Sequence, residues 1–192
     1  MKNDWQLYDE QGLPIAGSSA SATDIIEKGL LHAAAHVWVW RRTSHGVEIL
    51  LQKRAGGKRT WPGRFDVSAA GHVDISEQPI EAALRETKEE IGLNLTKQQL
   101  SFVGVYRTKM ETDMGLENEL QWLYLFEMTN EMAMVREENE VSELLWKPLE
   151  AFIAEVTDAS LQTYVPHGQH YFETITQAIA RTTQQDSFSD QR

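Results

Sequence analysis

GHVDISEQPIEAALRETKEEIGL, Gly71 to Leu93, decides the fold, because its second half makes sense only as a helix. Pro79 suits the first helical position, where a missing N–H is no loss, and Gly92 suits the left-handed residue that ends a helix. The spacing therefore predicts a helix over 79–91. At about 100° per residue, Ile80, Leu84, Thr87 and Ile91 share the side expected to pack inward, and Glu86, Glu89 and Glu90 fall within an arc of about 100° on the other. Like charges at these spacings repel by a few tenths of a kcal/mol per pair, so three clustered carboxylates call for a neutralising partner. Hard oxygen donors select Mg²⁺, Mn²⁺ or Ca²⁺ over zinc, and Mg²⁺ leaves coordination positions for water and phosphate oxygens. Arg85 is placed to pair with Glu77 or Glu89 and so to aim the carboxylates.

Outward from this helix, runs rich in β-branched and aromatic residues mark strands at AAHVWVWRR, GVEILLQKR, FDVSAAG, LSFVGVYRT, LQWLYLFEM and VSELLW. Further helices are expected over about 149–156 and 169–181. Strands interleaved with helices imply a layered α/β fold. Ahead of them, WQLYDEQGLPIAGSS fits a small hairpin and SATDIIEKGL a short helix, which makes residues 1–30 a lead-in packed on a core domain of 31–181. The polar end, 182–192, reads as a disordered tail. Trp38, Trp40, Trp122, Tyr124 and Trp146 sit in strand-like segments, where core packing is the expected role.

A chain of 192 residues with 41% hydrophobic content supports one well-buried core. No apolar run is long enough to span a bilayer, and MKNDWQLYDE lacks the basic start and apolar centre of a signal peptide, so a cytoplasmic location without membrane attachment is expected. With no cysteine, the chain has no disulfide, thiolate metal site or cysteine nucleophile. A formal charge of −11 argues against general nucleic-acid binding.

The spacing G-x5-E-x7-R-E-x2-E-E-x-G, carried by Gly71, Glu77, Arg85, Glu86, Glu89, Glu90 and Gly92, resembles the signature of the Nudix hydrolases. Seven fixed positions coincide by chance roughly once in 10⁸ windows. Thr87 stands where that family usually has an aliphatic residue. The resemblance covers about Leu31 to Val165 and implies an α/β/α sandwich with a mixed sheet and a catalytic strand-loop-helix motif. It also implies metal-dependent hydrolysis of a diphosphate linkage, in a nucleoside diphosphate joined to another group. Glu86, Glu89, Glu90 and the Gly71 carbonyl are then the ligands of Mg²⁺ or Mn²⁺, with Glu77 and Arg85 in support. The cation acidifies a water that attacks phosphorus. The general base is open between Glu86 and Glu140, and an intact glutamate set speaks against a non-catalytic ligand sensor.

Just before the motif, QKRAGGKRTWPGRFD gathers Lys53, Arg54, Lys58, Arg59 and Arg64. Arg54, Lys58 and Arg64 are candidates to grip diphosphate oxygens, the other reading being a solvated turn. WQLYDEQG, the segment ending SAAGH, and GLENEL narrow the resemblance to the branch related to isopentenyl-diphosphate isomerase. There a second metal site uses histidines and two glutamates, matched here by His32, His72, Glu117 and Glu119. A further upstream histidine has no counterpart among residues 15–31. Ala70 occupies the place of the isomerases' catalytic cysteine, and alanine transfers no proton, so isomerisation is disfavoured. His36, His45, His167 and His170 read as structural. The diphosphate substrate stays open, and a symmetric homodimer is an expectation only.

Overall fold

The computed structural model describes residues 4–112, 114–158 and 162–189. Its architecture is arranged about strand β3, His32–Thr43, whose first nine residues are buried on both faces. A strand covered on both sides carries apolar residues without alternation, and HAAAHVWVW does so except for its two histidines. β3 pairs in parallel with β8 (Gly115–Glu127) from His32 to Trp40, and antiparallel with β6 (Ala69–His72) from Ala34 to Val37. Beyond β6 it continues antiparallel along β4 (Gly46–Arg54). β4 in turn carries β5 (Phe65–Asp66) and β9 (Val141–Pro148), and β8 carries β7 (Ser101–Thr112) at the sheet edge. At the other end, the hairpin of β1 (Trp5–Tyr8) and β2 (Pro14–Ala20) joins through Leu7 opposite His32.

Period-two alternation along β3 feeds two cores. Ala33, Ala35, Val37 and Val39 face α2 (Pro79–Ile91), together with Leu50, Ile91, Leu93 and Phe126. Trp38 and Trp40 face the other way, where Phe152 of α3 (Leu149–Thr157) and Tyr171, Ile175 and Ile179 of α4 (Gln169–Ser189) pack against them. Each such fully buried aliphatic or aromatic side chain contributes about 1.5–3 kcal/mol. The result is the expected α/β/α arrangement around a mixed sheet. Helix α1 (Ala22–Lys28) lies against β8. Its N-terminus is capped by Ser21, and Gly29 closes it at φ 61°.

Two expectations change. FDVSAAG is not one strand. Ser68 donates through Oγ to Leu50 O and accepts from Val39 N, so a side chain replaces ladder bonds between β5 and β6. The tail expected from Thr182 is helical to Ser189, because Ile179 anchors the helix in the core and Thr182 Oγ1 donates to Ala178 O at 3.1 Å. Residues 190–192 lie outside the described residues. Among those described, no helix is long and apolar enough to cross a membrane.

Candidate active site

Helix α2 is held at both ends by local chemistry. Glu81 Oε2 accepts the Gln78 N–H at 3.1 Å at its start, Pro79 takes the first turn, and Gly92 ends it at φ 74° with its N–H on Lys88 O. This orientation lays Glu86 across Gly71 of β6, so closely that a Cβ on residue 71 would overlap the Glu86 carboxylate. Glycine is required there for approach, not for backbone freedom. Glu90 is buried, at 5% exposure, which corrects the reading of one polar and one apolar face. Its Oε2 accepts from the Ala70 N–H at 2.9 Å and from Gln52 Nε2 at 3.0 Å. Glu89, with 60% of its side chain exposed, opens to solvent.

Burial pushes the Glu86 carboxyl up to about 7, opposed by Arg85 and reinforced by the charges of Glu89 and Glu77. Burial and the Glu86 charge push Glu90 up to about 8. Two carboxyls with so little affinity for their own charge suit a bound cation, which would displace their protons. Arg85 fixes the set. Its Nε and Nη2 each donate to Glu77 at 2.9 Å, Nη2 also donates to His72 O at 2.9 Å, and Nη1 reaches Glu86 and, at 3.5 Å, Glu89. The donor set is oxygen only and partly open, which fits Mg²⁺ or Mn²⁺.

His32, His72, Glu117 and Glu119 form a second cluster whose ligand atoms lie within 4.8 Å of one another. Glu119 Oε2 is 3.4 Å from both His32 Nε2 and His72 Nε2. Burial pushes Glu119 upward, but the two imidazoles beside it outweigh this and hold the carboxyl well below its ordinary range. Burial and the Glu119 charge raise Glu117. His32 Nε2 is buried without a hydrogen-bond partner, an orphaned donor atom of the kind a cation would use. The residues present thus fit a cation.

The basic segment is divided in its tasks. Lys58 pairs with Glu140, and its charge is felt at both Glu90 and His72. Glu140 is delivered by a loop that docks on the end of α2 through Glu137 N donating to Glu90 O at 2.9 Å, and Glu140 O receives the Ala55 N–H at 2.9 Å. Arg54 donates to Asp66 Oδ2 at 3.0 Å and to Thr60 O at 3.1 Å, so much of its fork braces the loop. Arg64 lies over the Trp61 ring and reaches Tyr164 O and Gln162, toward the C-terminal segment.

No sequence motif marks Gln52, which fixes Glu90, or Trp5, which stacks on His72 with ring centroids 3.4 Å apart. The partners of His36 and His167 are equally without a local signal. Asp66 Oδ1 bonds His167 Nε2 at 2.7 Å, His36 Nδ1 meets Tyr171 OH at 2.7 Å, and Trp38 Nε1 donates to that hydroxyl at 3.0 Å. Burial and the His167 charge push His36 down to about 4. These pairings join residues more than a hundred positions apart, and no local pattern signals them. A cavity of about 310 Å³ lined by Trp40, Ser101, Phe126 and Glu127 lies at the far ends of β3 and β8 from both clusters. Among the described residues, Glu127 is the one ionisable side chain in its lining.

A buried glutamate pair against a strand glycine, braced by one arginine, is the arrangement the fold exists to hold, and the chain belongs to the NUDIX family, matching the NUDIX domain over residues 30–167. Among its relatives, Nudix hydrolase 3 of Arabidopsis thaliana is 30% identical over 80% of this chain and 18% of its own length. An uncharacterized Nudix hydrolase of Clostridium acetobutylicum is 32% identical over 62% of this chain and 57% of its own. The chain thus spans less than two thirds of the length of both relatives. Isopentenyl-diphosphate Delta-isomerase of Aliivibrio fischeri is 31% identical over 73% of this chain and 77% of its own. A crystal structure of a Deinococcus radiodurans protein shares the fold, with a TM-score of 0.61 at 17% identity over 81% of this chain and 89% of that one.

Proposed function

We propose that this chain hydrolyses a diphosphate linkage in a nucleoside diphosphate derivative, by attack of water on phosphorus, with Mg²⁺ or Mn²⁺ held by Glu86, Glu89, Glu90 and the Gly71 carbonyl. The observation that carries this reading is the seating of Glu86 on Gly71 beside a buried Glu90, two carboxyls whose burial resists their charge and which a cation would balance. A divalent cation supplies charge neutralisation of the diphosphate and acidification of water. Arg85 and Glu77 keep the carboxylates aimed. Lys58, paired with Glu140, is the first candidate to present an ammonium to the diphosphate, and Arg54 and Arg64 are the further candidates for that contact. Glu140, beside Lys58, and Glu86 are the candidates to take the proton from the attacking water.

His32, His72, Glu117 and Glu119 are proposed as a second cation site. Isomerisation of isopentenyl diphosphate, the activity named for the Aliivibrio relative, is disfavoured because Ala70 offers no proton to a carbon skeleton. The acidic, cysteine-free chain is proposed to work in the cytoplasm on a small-molecule substrate.

The test is phosphate release from a panel of nucleoside diphosphate derivatives, nucleoside triphosphates and isopentenyl diphosphate with Mg²⁺ or Mn²⁺. Wild type is compared with Glu86→Gln, Glu90→Gln and Glu140→Gln. Cation-dependent turnover of nucleotides, lost in the first two variants, is expected. Glu140→Gln separates the two candidate bases. A folded wild type that turns over nothing in the panel refutes the reading.

A further inference from the structure

Trp5 lies flat on His72, ring centroids 3.4 Å apart and planes 9° from parallel, and also faces His32 at 5.4 Å and 24°. Backbone bonds on either side set its position: Ile75 N donates to Asp4 O at 3.1 Å, Gln6 N to Val73 O at 3.0 Å, and Tyr8 N to Leu31 O at 2.9 Å. The indole is therefore carried to the His72 ring by the path of β1, which ties the N-terminal strand to the end of β6 and to the start of β3.

An imidazole binds a cation through one nitrogen at its edge, which leaves the flat face free to be packed. Indole suits that face because its nitrogen is a donor only and does not compete for the ion. Next to it stands the buried His32 Nε2, which makes no hydrogen bond and has Glu119 Oε2 at 3.4 Å, and the four residues' ligand atoms converge within 4.8 Å. We infer that Trp5 is the outer wall of this cation site, holding the His72 ring in ligating orientation and keeping water from that side, so that a bound cation leaves slowly. The inference rests on the second-site reading proposed above. It makes the two sites different in kind. The α2 site opens to solvent through Glu89 and exchanges its cation readily, whereas the histidine site retains its ion. With two imidazoles among its donors, that ion is a transition metal such as Mn²⁺, Co²⁺ or Zn²⁺ in preference to Mg²⁺.

Co²⁺ is the probe. Wild type, Glu119→Gln, Trp5→Leu and Trp5→Phe are loaded, and both stoichiometry and the rate of Co²⁺ loss to excess chelator are followed by its visible absorption. One Co²⁺ is expected to vanish in Glu119→Gln. Its release is expected to be about tenfold faster or more in Trp5→Leu, and near wild type in Trp5→Phe, which keeps a ring on His72. Tryptophan emission, quenched in wild type by bound Co²⁺, is expected to lose most of that quench in Trp5→Phe. Release from Trp5→Leu at the wild-type rate overturns the role of Trp5. Should Trp5→Leu fail to fold, emission decides, since a quench unchanged by Trp5→Phe overturns it equally. A wild type with no Glu119-dependent Co²⁺ removes the cation site itself, a separate failure from that of Trp5.

Discussion

Replacing Glu90 by glutamine is expected to stabilise the cation-free protein while disabling its cation site. In the fold the Glu90 carboxyl is pushed from 4.5 to about 8, chiefly by burial and then by Glu86. A carboxyl raised in this way contributes stability in its protonated form, fully below pH 4.5, and loses it as pH rises through about 8. At 1.36 kcal/mol per unit, the linkage grows by a few kcal/mol between pH 5.5 and pH 8.5. Glutamine carries no charge at any of these values, and its carbonyl can still accept from Ala70 N. Urea unfolding in excess chelator at pH 5.5, 7.0 and 8.5 should therefore show Glu90→Gln gaining on wild type by about 3 kcal/mol across the range. Added Mg²⁺, which the histidine cluster disfavours, should stabilise wild type and leave the variant unmoved. A gap between the two proteins that does not widen with pH would refute the claim that burial governs this carboxyl.

Gly71→Ala should cut turnover about 100-fold or more, because a methyl there displaces the Glu86 carboxylate by more than catalysis tolerates; steady-state kinetics with a circular-dichroism control for folding checks it. Arg85→Lys should lower activity about 10–100-fold with little loss of stability, since lysine cannot reproduce the fork on Glu77, and cation titration should show weaker binding. Asp66→Asn should destabilise the protein by about 3–5 kcal/mol, leaving Arg54 and His167 without their buried partner. Against burial, the charges of His167 and Arg54 hold the Asp66 carboxyl well below its usual range. Its stabilisation is thus present at neutral pH and lost only as pH falls below 4, so denaturant melts of wild type and Asp66→Asn should converge in acid.

Much of this was legible in the chain because α2 is specified locally. Pro79, the capping pair and Gly92 set its ends, and the glutamate spacing follows from the pitch of a helix. The burial of Glu90 was not legible. It lies only about 60° around the helix from Thr87, at the border of the apolar side, and which way the border turns depends on the strand that the helix meets. His32, His72, Glu117 and Glu119 were named by resemblance, and parallel pairing of β3 with β8 brings them together by setting His32 opposite Glu119. Trp5, Gln52 and the Asp66–His167 pair are contacts between distant segments, and only the sheet's topology reveals them. The helical course of residues 182–189 is likewise a tertiary effect, since polar composition alone predicts a tail.

Gly71 and His72 are neighbours in β6, yet one receives the Glu86 carboxylate on the α2 side and the other turns its ring toward Trp5 and Glu119. The pleat of a single strand thus sets the spacing between the two candidate centres. Loops around them are free to lengthen or change composition, but an insertion or deletion of one residue within β6 would exchange their occupants. Diversification in such a scaffold has to come from the rim, while the four residues of β6, Ala69 to His72, act as a fixed gauge.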